Sequence, residues 1–123
     1  MILGIVGSRR RCSAADKEIV RSVVEHLKPT MIVSGGCPQG ADKFAEEIAA
    51  EKDIFISVHH PNLPKRGSPR HMYVQAYYAR NNLIARQADV LLALVAEDRK
   101  GGTENTIEHF VKDKGSAEKV IIA

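Results

Sequence analysis

Tryptophan is absent from this chain, and phenylalanine and tyrosine occur three times each. Stacking of successive nucleobases needs a row of aromatic rings, so such a platform is confined to Tyr73, Tyr77 and Tyr78. Cysteine occurs only as Cys12 and Cys37, too few for a disulfide framework, which makes a cytoplasmic location the expectation. No apolar run approaches the roughly 18 residues of a membrane span, so no membrane role is expected. Met1-Ile2-Leu3-Gly4-Ile5-Val6-Gly7 lacks the basic leader and cleavage site of a signal peptide and reads as a first strand. Among His59, His60, His71 and Cys37 no pair has the spacing of a structural zinc site, so neither a metal nor another cofactor is expected. Repeats, linkers and low-complexity tracts are missing as well.

What is present suits one soluble domain. The 123 residues suffice for a single core, and 44% apolar with 27% charged residues is ordinary globular composition. A net charge of +3 and a pI near 9.0 favour anionic ligands but are too weak to argue for nucleic acid.

Strand and helix patterns alternate along the chain. Ile2 to Val6 is a β-branched apolar run of the kind buried on both faces of a parallel sheet. Ser13, three before Asp16, opens a helix whose apolar stripe is Ile19, Val20, Val23, Val24 and Leu27, and Pro29 stops it. Thr30 to Val33 is a second strand. The turn Ser34-Gly35-Gly36-Cys37-Pro38-Gln39-Gly40 leads from it into a helix from about Ala41 to Glu51, and Ile54 to Val58 is the third strand. A loop with three prolines spans residues 59–70. A helix is then expected over His71–Arg86, with Val74, Tyr77, Ile84 and Ala88 marking its inward face. Asp89 to Val95 is a fourth strand, Lys100-Gly101-Gly102-Thr103 a second glycine turn, Glu104 to Lys114 a helix and Lys119 to Ile122 a fifth strand. The pattern predicts an α/β fold: a three-layer, doubly wound Rossmann-like domain over residues 1–123 with a mainly parallel five-stranded sheet.

In such a sheet ligands bind beyond the carboxyl ends of the strands, where strand order reverses. The loops at 7–13, 34–42 and 96–103 fall on that edge. All three carry glycine and two carry arginine. Glycine lets a ligand approach the backbone, and the free N–H groups of a helix start favour an anion.

Gly7-Ser8-Arg9, Ser34-Gly35-Gly36 with Gly40-Ala41-Asp42, Arg80-Asn81 ahead of Ala88-Asp89, and Gly101-Gly102-Thr103 together resemble the SLOG superfamily. This Rossmann-like group contains the Lonely guy phosphoribohydrolases, the DNA-processing protein A family and the YspA-like proteins, and the YspA-like branch is the most similar. The resemblance implies a nucleotide or nucleotide-derived ligand. Gly35, Gly36 and Gly40 would allow backbone approach, Gly101, Gly102 and Thr103 would hold phosphate, and Gly7, Ser8 and Arg9 would meet the same anion. Ser34, Asp42 and Asn81 complete the candidate set. The Lonely guy enzymes place a catalytic glutamate three residues after the threonine of the last loop. Here that position is Thr106, and Glu104 and Glu108 fall out of register. Glu104 is therefore the substitute carboxylate, paired with Arg80 as candidate catalytic residues.

Physical chemistry weighs several of these differently. Arg9 suits a bidentate phosphate contact, whereas Arg10 and Arg11 read equally well as surface. Asp42 suits the positive end of its helix without any ligand, and would repel a phosphate placed beside it. Arg80-Asn81 in mid-helix must either meet the glycine loops or point to solvent. The expected function is a nucleotide-binding sensor or processing module whose partner is a nucleotide or phosphorylated nucleoside. A nucleoside monophosphate phosphoribohydrolase and a single-stranded DNA-binding module are the alternatives, and a homodimer is the expected assembly.

Overall fold

A computed structural model describes all 123 residues, Met1–Ala123. Nine elements alternate: β1 (Ile2–Gly7), α1 (Ala14–Leu27), β2 (Met31–Ser34), α2 (Ala41–Glu51), β3 (Phe55–Val58), α3 (Arg70–Gln87), β4 (Val90–Leu94), α4 (Gly102–Lys114) and β5 (Val120–Ile122). The five strands form one all-parallel sheet in the order β3-β2-β1-β4-β5. The architecture is the Rossmann-like α/β fold that the alternation predicts.

Strand alternation sends successive side chains to opposite faces of the sheet, and the two faces hold separate cores. Leu3, Ile5, Ile32, Leu92 and Leu94 pack on one face against Val20 and Val24 of α1 and Phe44, Ala45 and Ile48 of α2. Val6, Val33, Leu91 and Ala93 pack on the other against Ile84 and Ala85 of α3 and Phe110 of α4. Gly4 lets α3 lie close to β1, because a Cβ there would sit 2.9 Å from the Ala88 Cβ.

Helix ends follow local chemistry. Ser13 caps α1 in a full capping box: its side chain accepts from Asp16 N–H at 3.1 Å, and Asp16 accepts from Ser13 N–H at 3.2 Å. α4 begins at Gly102, two residues before the expected Glu104, because Gly101 at φ 115° turns the chain directly into the helix. Neither α2 nor α4 has a side chain capping its start. No helix is long and apolar enough to cross a membrane.

Strand order reverses between β1 and β4, the two strands that flank the switch point of a doubly wound sheet. The chain leaves the carboxyl ends of β1, β2 and β4 into the three glycine-bearing loops, so topology gathers them on one rim.

Candidate functional site

A hollow of about 520 Å³ opens on that rim. Gly7, Ser8 and Arg9 line it from the end of β1 and the loop that follows, Gly35 and Cys37 from the turn after β2, Asp42 from the first turn of α2, and Gly101, Gly102 and Thr103 from the start of α4. α3 closes the remaining side with Val74, Tyr77, Tyr78, Arg80, Asn81 and Ile84. The three loops therefore share one cavity.

Arg80 and Asn81 act as the spacer between two of them. Arg80 Nη1 donates to the Gly35 carbonyl at 2.5 Å, and Arg80 Nε donates to Asn81 Oδ1 at 3.0 Å. Asn81 Nδ2 reaches the other way, to the Gly102 carbonyl at 3.3 Å and to Asn105 Oδ1 at 3.2 Å. Asn81 is 4% exposed, so these bonds also answer the cost of burying its amide. The arginine-asparagine pair meets the glycine loops rather than solvent.

Asp42 sits at the floor of the hollow, 9% exposed. Its Oδ2 accepts the Cys37 N–H at 3.0 Å and so closes the glycine turn back onto α2. Burial, the largest influence, pushes its carboxyl above the ordinary range, while the Cys37 amide, the Arg80 guanidinium and the Gly35 amide pull it down. Gly35 has no room for a side chain, because a Cβ would run into the Arg80 guanidinium and lie 3.0 Å from Asp42 Oδ2.

The cations of the rim divide into bound and free. Arg10 is held by Asp98 through two bonds of 2.7 and 3.2 Å. Arg11 is structural: Nε bonds Asp16 at 2.8 Å, and Nη1 donates to the Val95 and Ala123 carbonyls at 2.9 Å each. Asp16 is pushed up by its burial, but the bonds from Arg11 and Ser13 outweigh that and leave its carboxyl below the ordinary range. Arg9 and Lys100, both lining the hollow, carry neither an ion pair nor a side-chain hydrogen bond. Sequence reasoning passed over Lys100, whose only signal was its place directly before Gly101.

Four expected residues lie outside the lining. Glu104 faces Arg99, which donates to its two carboxylate oxygens at 2.9 and 2.8 Å, so it is committed to the outer side of α4. Ser34 is fully buried at the end of β2 with its hydroxyl unpartnered. Gly36 lies against His60 instead, and Gly40 packs under the first loop, where a Cβ would come 3.1 Å from the Ser8 carbonyl oxygen. Tyr77 and Tyr78 line the hollow, and the Arg80 guanidinium stands 5.7 Å from the Tyr77 ring centroid. Tyr73 is not part of the lining.

One end of the hollow thus offers two unpaired cations and the uncapped amides of α4 to an anion. Another offers an aliphatic and aromatic wall of Val74, Tyr77 and Ile84 to a planar apolar group. No three His, Cys, Asp or Glu side chains are grouped so as to hold a metal ion. Comparison with protein-family models, with curated proteins and with solved structures finds no match for this chain.

Proposed function

We propose that this chain is a cytoplasmic nucleotide-binding module that takes a nucleotide or phosphorylated nucleoside into the rim hollow. Its phosphate lies between Arg9, Lys100 and the first amides of α4, and its base rests against Tyr77. A sugar hydroxyl donates to Asp42. The reading is carried by one observation: three separate crossovers and α3 line a single cavity in which Arg9 and Lys100 have no protein anion. The volume of about 520 Å³ falls within the range of small-molecule sites. The resemblance of the glycine turns to the SLOG superfamily leads to the same ligand class.

Calorimetric titration with adenosine monophosphate, ADP-ribose and a cyclic dinucleotide tests it. At least one should bind, and Arg9→Ala combined with Lys100→Ala should weaken that binding about tenfold or more, the loss expected for charge-assisted bonds. A folded sample that binds none of them ends the proposal.

A second reading follows from Asp42. The hollow contains a buried carboxyl beside Arg80, and its position suits an enzyme acting on the N-glycosidic bond of a nucleoside monophosphate. Asp42, not Glu104, would then be the carboxyl facing the substrate, since Arg99 occupies Glu104. Chromatography after incubation with adenosine monophosphate decides it: free adenine that disappears in Asp42→Asn supports hydrolysis, and no adenine from the wild type removes it.

A further inference from the structure

Between Asp53 and Asp89 the chain has no acidic residue, yet it carries Lys65, Arg66, Arg70, Arg80 and Arg86 with three histidines. Along α1 and α2, by contrast, Lys17, Arg21 and Lys52 are answered by Glu47, Glu51 and Glu25. Lys65, Arg66, Arg70 and Arg86 have no such partner. Only Arg80 of the group is turned inward, to the Gly35 carbonyl. This segment is the source of the chain's positive balance.

The same segment holds an open groove of about 490 Å³, separate from the rim hollow except for Arg80. Leu63 and Pro64 of the long loop form one wall, and Met72 and Leu83 stand on α3 at either end of a floor of Ala76 and Ala79. Met72, Ala76, Ala79 and Leu83 are spaced by four, three and four residues and so share one helix face. This is not the face that carries Ile84 and Ala85 into the core. Leu63, Met72 and Leu83 are 47%, 40% and 50% exposed, which leaves large aliphatic side chains in water around a depression. Lys65 and Arg66 follow the Leu63-Pro64 wall directly and Arg86 lies one turn beyond Leu83, whereas Arg70, two before Met72, starts on the other side of α3.

We infer that this groove docks an acidic segment of a partner protein. Its aliphatic side chains seat between Leu63, Met72 and Leu83, and its carboxylates face Lys65, Arg66 and Arg86. Charge selects this occupant over the others. A second copy laid on the same face would set one acid-free, basic surface against another, like against like. No Phe, Tyr or Trp lines the groove and its one ring is the His60 imidazole, so a nucleic-acid strand would find phosphate partners but no row of rings on which to stack successive bases. A concave aliphatic floor with a basic border matches an amphipathic peptide laid in a groove, whereas a flat lipid surface would leave Ala76 and Ala79 uncovered.

The test uses the intact chain and a fluorescently labelled synthetic peptide of about 16 residues, with leucines at helical i, i+3, i+4 and i+7 positions and Asp or Glu at the rest. Fluorescence anisotropy should give saturable binding that weakens with added salt. Leu83→Glu should weaken it about tenfold or more, and Arg66→Glu with Arg86→Glu about fivefold or more, with melting temperatures close to wild type because all three side chains are exposed. A peptide of identical composition with shuffled leucines should bind about tenfold more weakly. The inference is overturned if no binding is seen, if Leu83→Glu or the shuffled peptide behaves like its parent, or if a single-stranded oligonucleotide or anionic vesicles displace the peptide. A wild-type dimer in sedimentation equilibrium that Leu83→Glu dissociates also overturns it, because the groove would then be a self-interface.

Discussion

Arg80 Nη1 lies 2.5 Å from the carbonyl oxygen of Gly35, which binds the middle of α3 to the turn that follows β2. Asn81, the next residue, binds the start of α4 through the Gly102 carbonyl. Two adjacent side chains on one helix therefore set the distance between two glycine turns. The geometry of the rim hollow depends on that distance, because both turns contribute to its wall.

Replacing Arg80 by alanine strips a cation from a partly buried place and leaves the Gly35 carbonyl and the Asp42 carboxylate without it. A loss of about 2 kcal/mol in urea unfolding is expected, the usual size for an unsatisfied partner of a charged hydrogen bond. Affinity for the proposed nucleotide should fall about tenfold or more, since the turn and the guanidinium facing Tyr77 are lost together. Arg80→Lys should restore part of the stability but little of the affinity, because an ammonium cannot span Gly35 and Asn81 with a fixed plane. Unchanged nucleotide affinity in Arg80→Ala would show that the hollow is not the site.

Asp42 makes the stability of the chain respond to pH in an unusual sense for a carboxylate. Its folded-state pKa is raised above the ordinary 3.8, so folding favours the proton-bound form. The stabilisation linked to that proton is fully present below about pH 4 and is lost as pH rises through the raised value. Asp42→Asn keeps an oxygen for the Cys37 amide and mimics the proton-bound state. The variant should therefore gain stability relative to wild type as pH rises above about 4, by a margin that grows until pH passes the raised value and then levels off. Thermal melts as a function of pH measure it, and a margin that shrinks with pH would mean that Arg80 holds Asp42 ionised.

The sheet could be read from the chain because its strands are short apolar runs separated by helices with a single apolar stripe, as in Ile2–Val6 followed by Ile19 to Leu27. What sequence periodicity could not separate is a core position from the wall of a cavity. Val74, Tyr77, Ile84 and Ala88 share the expected inward face of α3, yet only Ile84 and Ala88 are buried. Val74 and Tyr77 line the hollow, with Ile84 at its margin. The second apolar stripe, Met72 to Leu83, went unnoticed for a related reason: two stripes on different sides of one helix blur its polarity. Pairings across long separations were also hidden. Arg11 finds its carbonyl partners 84 and 112 residues away, and nothing local distinguishes it from Arg9, which has none. Glu104 differs: it is out of register and a candidate only as the carboxylate next to Thr103, and its partner Arg99 lies just five residues before it.

Gly7 marks where β1 ends and the rim begins. A Cβ there would stand 2.7 Å from the Ala41 Cβ and 2.9 Å from the Leu94 Cβ. Neither neighbour can swing away, because both atoms are fixed directly to backbone. Gly7→Ala must push α2 away from β1 and should cost about 2–3 kcal/mol, within the range for overpacked cores. Unfolding in urea measures the loss, and a variant as stable as wild type would mean that β1 and α2 slide apart easily.

Gly102 presents the opposite case, since it lines the hollow without being needed for the fold. The nearest atom to an added Cβ is Asn81 Nδ2 at 3.8 Å, ordinary contact distance, and the residue is already helical at the first position of α4. Alanine is a better helix former than glycine by up to about 1 kcal/mol, so Gly102→Ala should melt at or slightly above the wild-type temperature. The new methyl would nevertheless project beside the α4 amides that receive the proposed phosphate. Affinity for the nucleotide should drop about fivefold or more, while a probe that binds only in the α3 groove should be unaffected. Stability retained with affinity lost assigns Gly102 to backbone approach by a ligand. Full affinity in a stable Gly102→Ala protein would move the phosphate away from the start of α4.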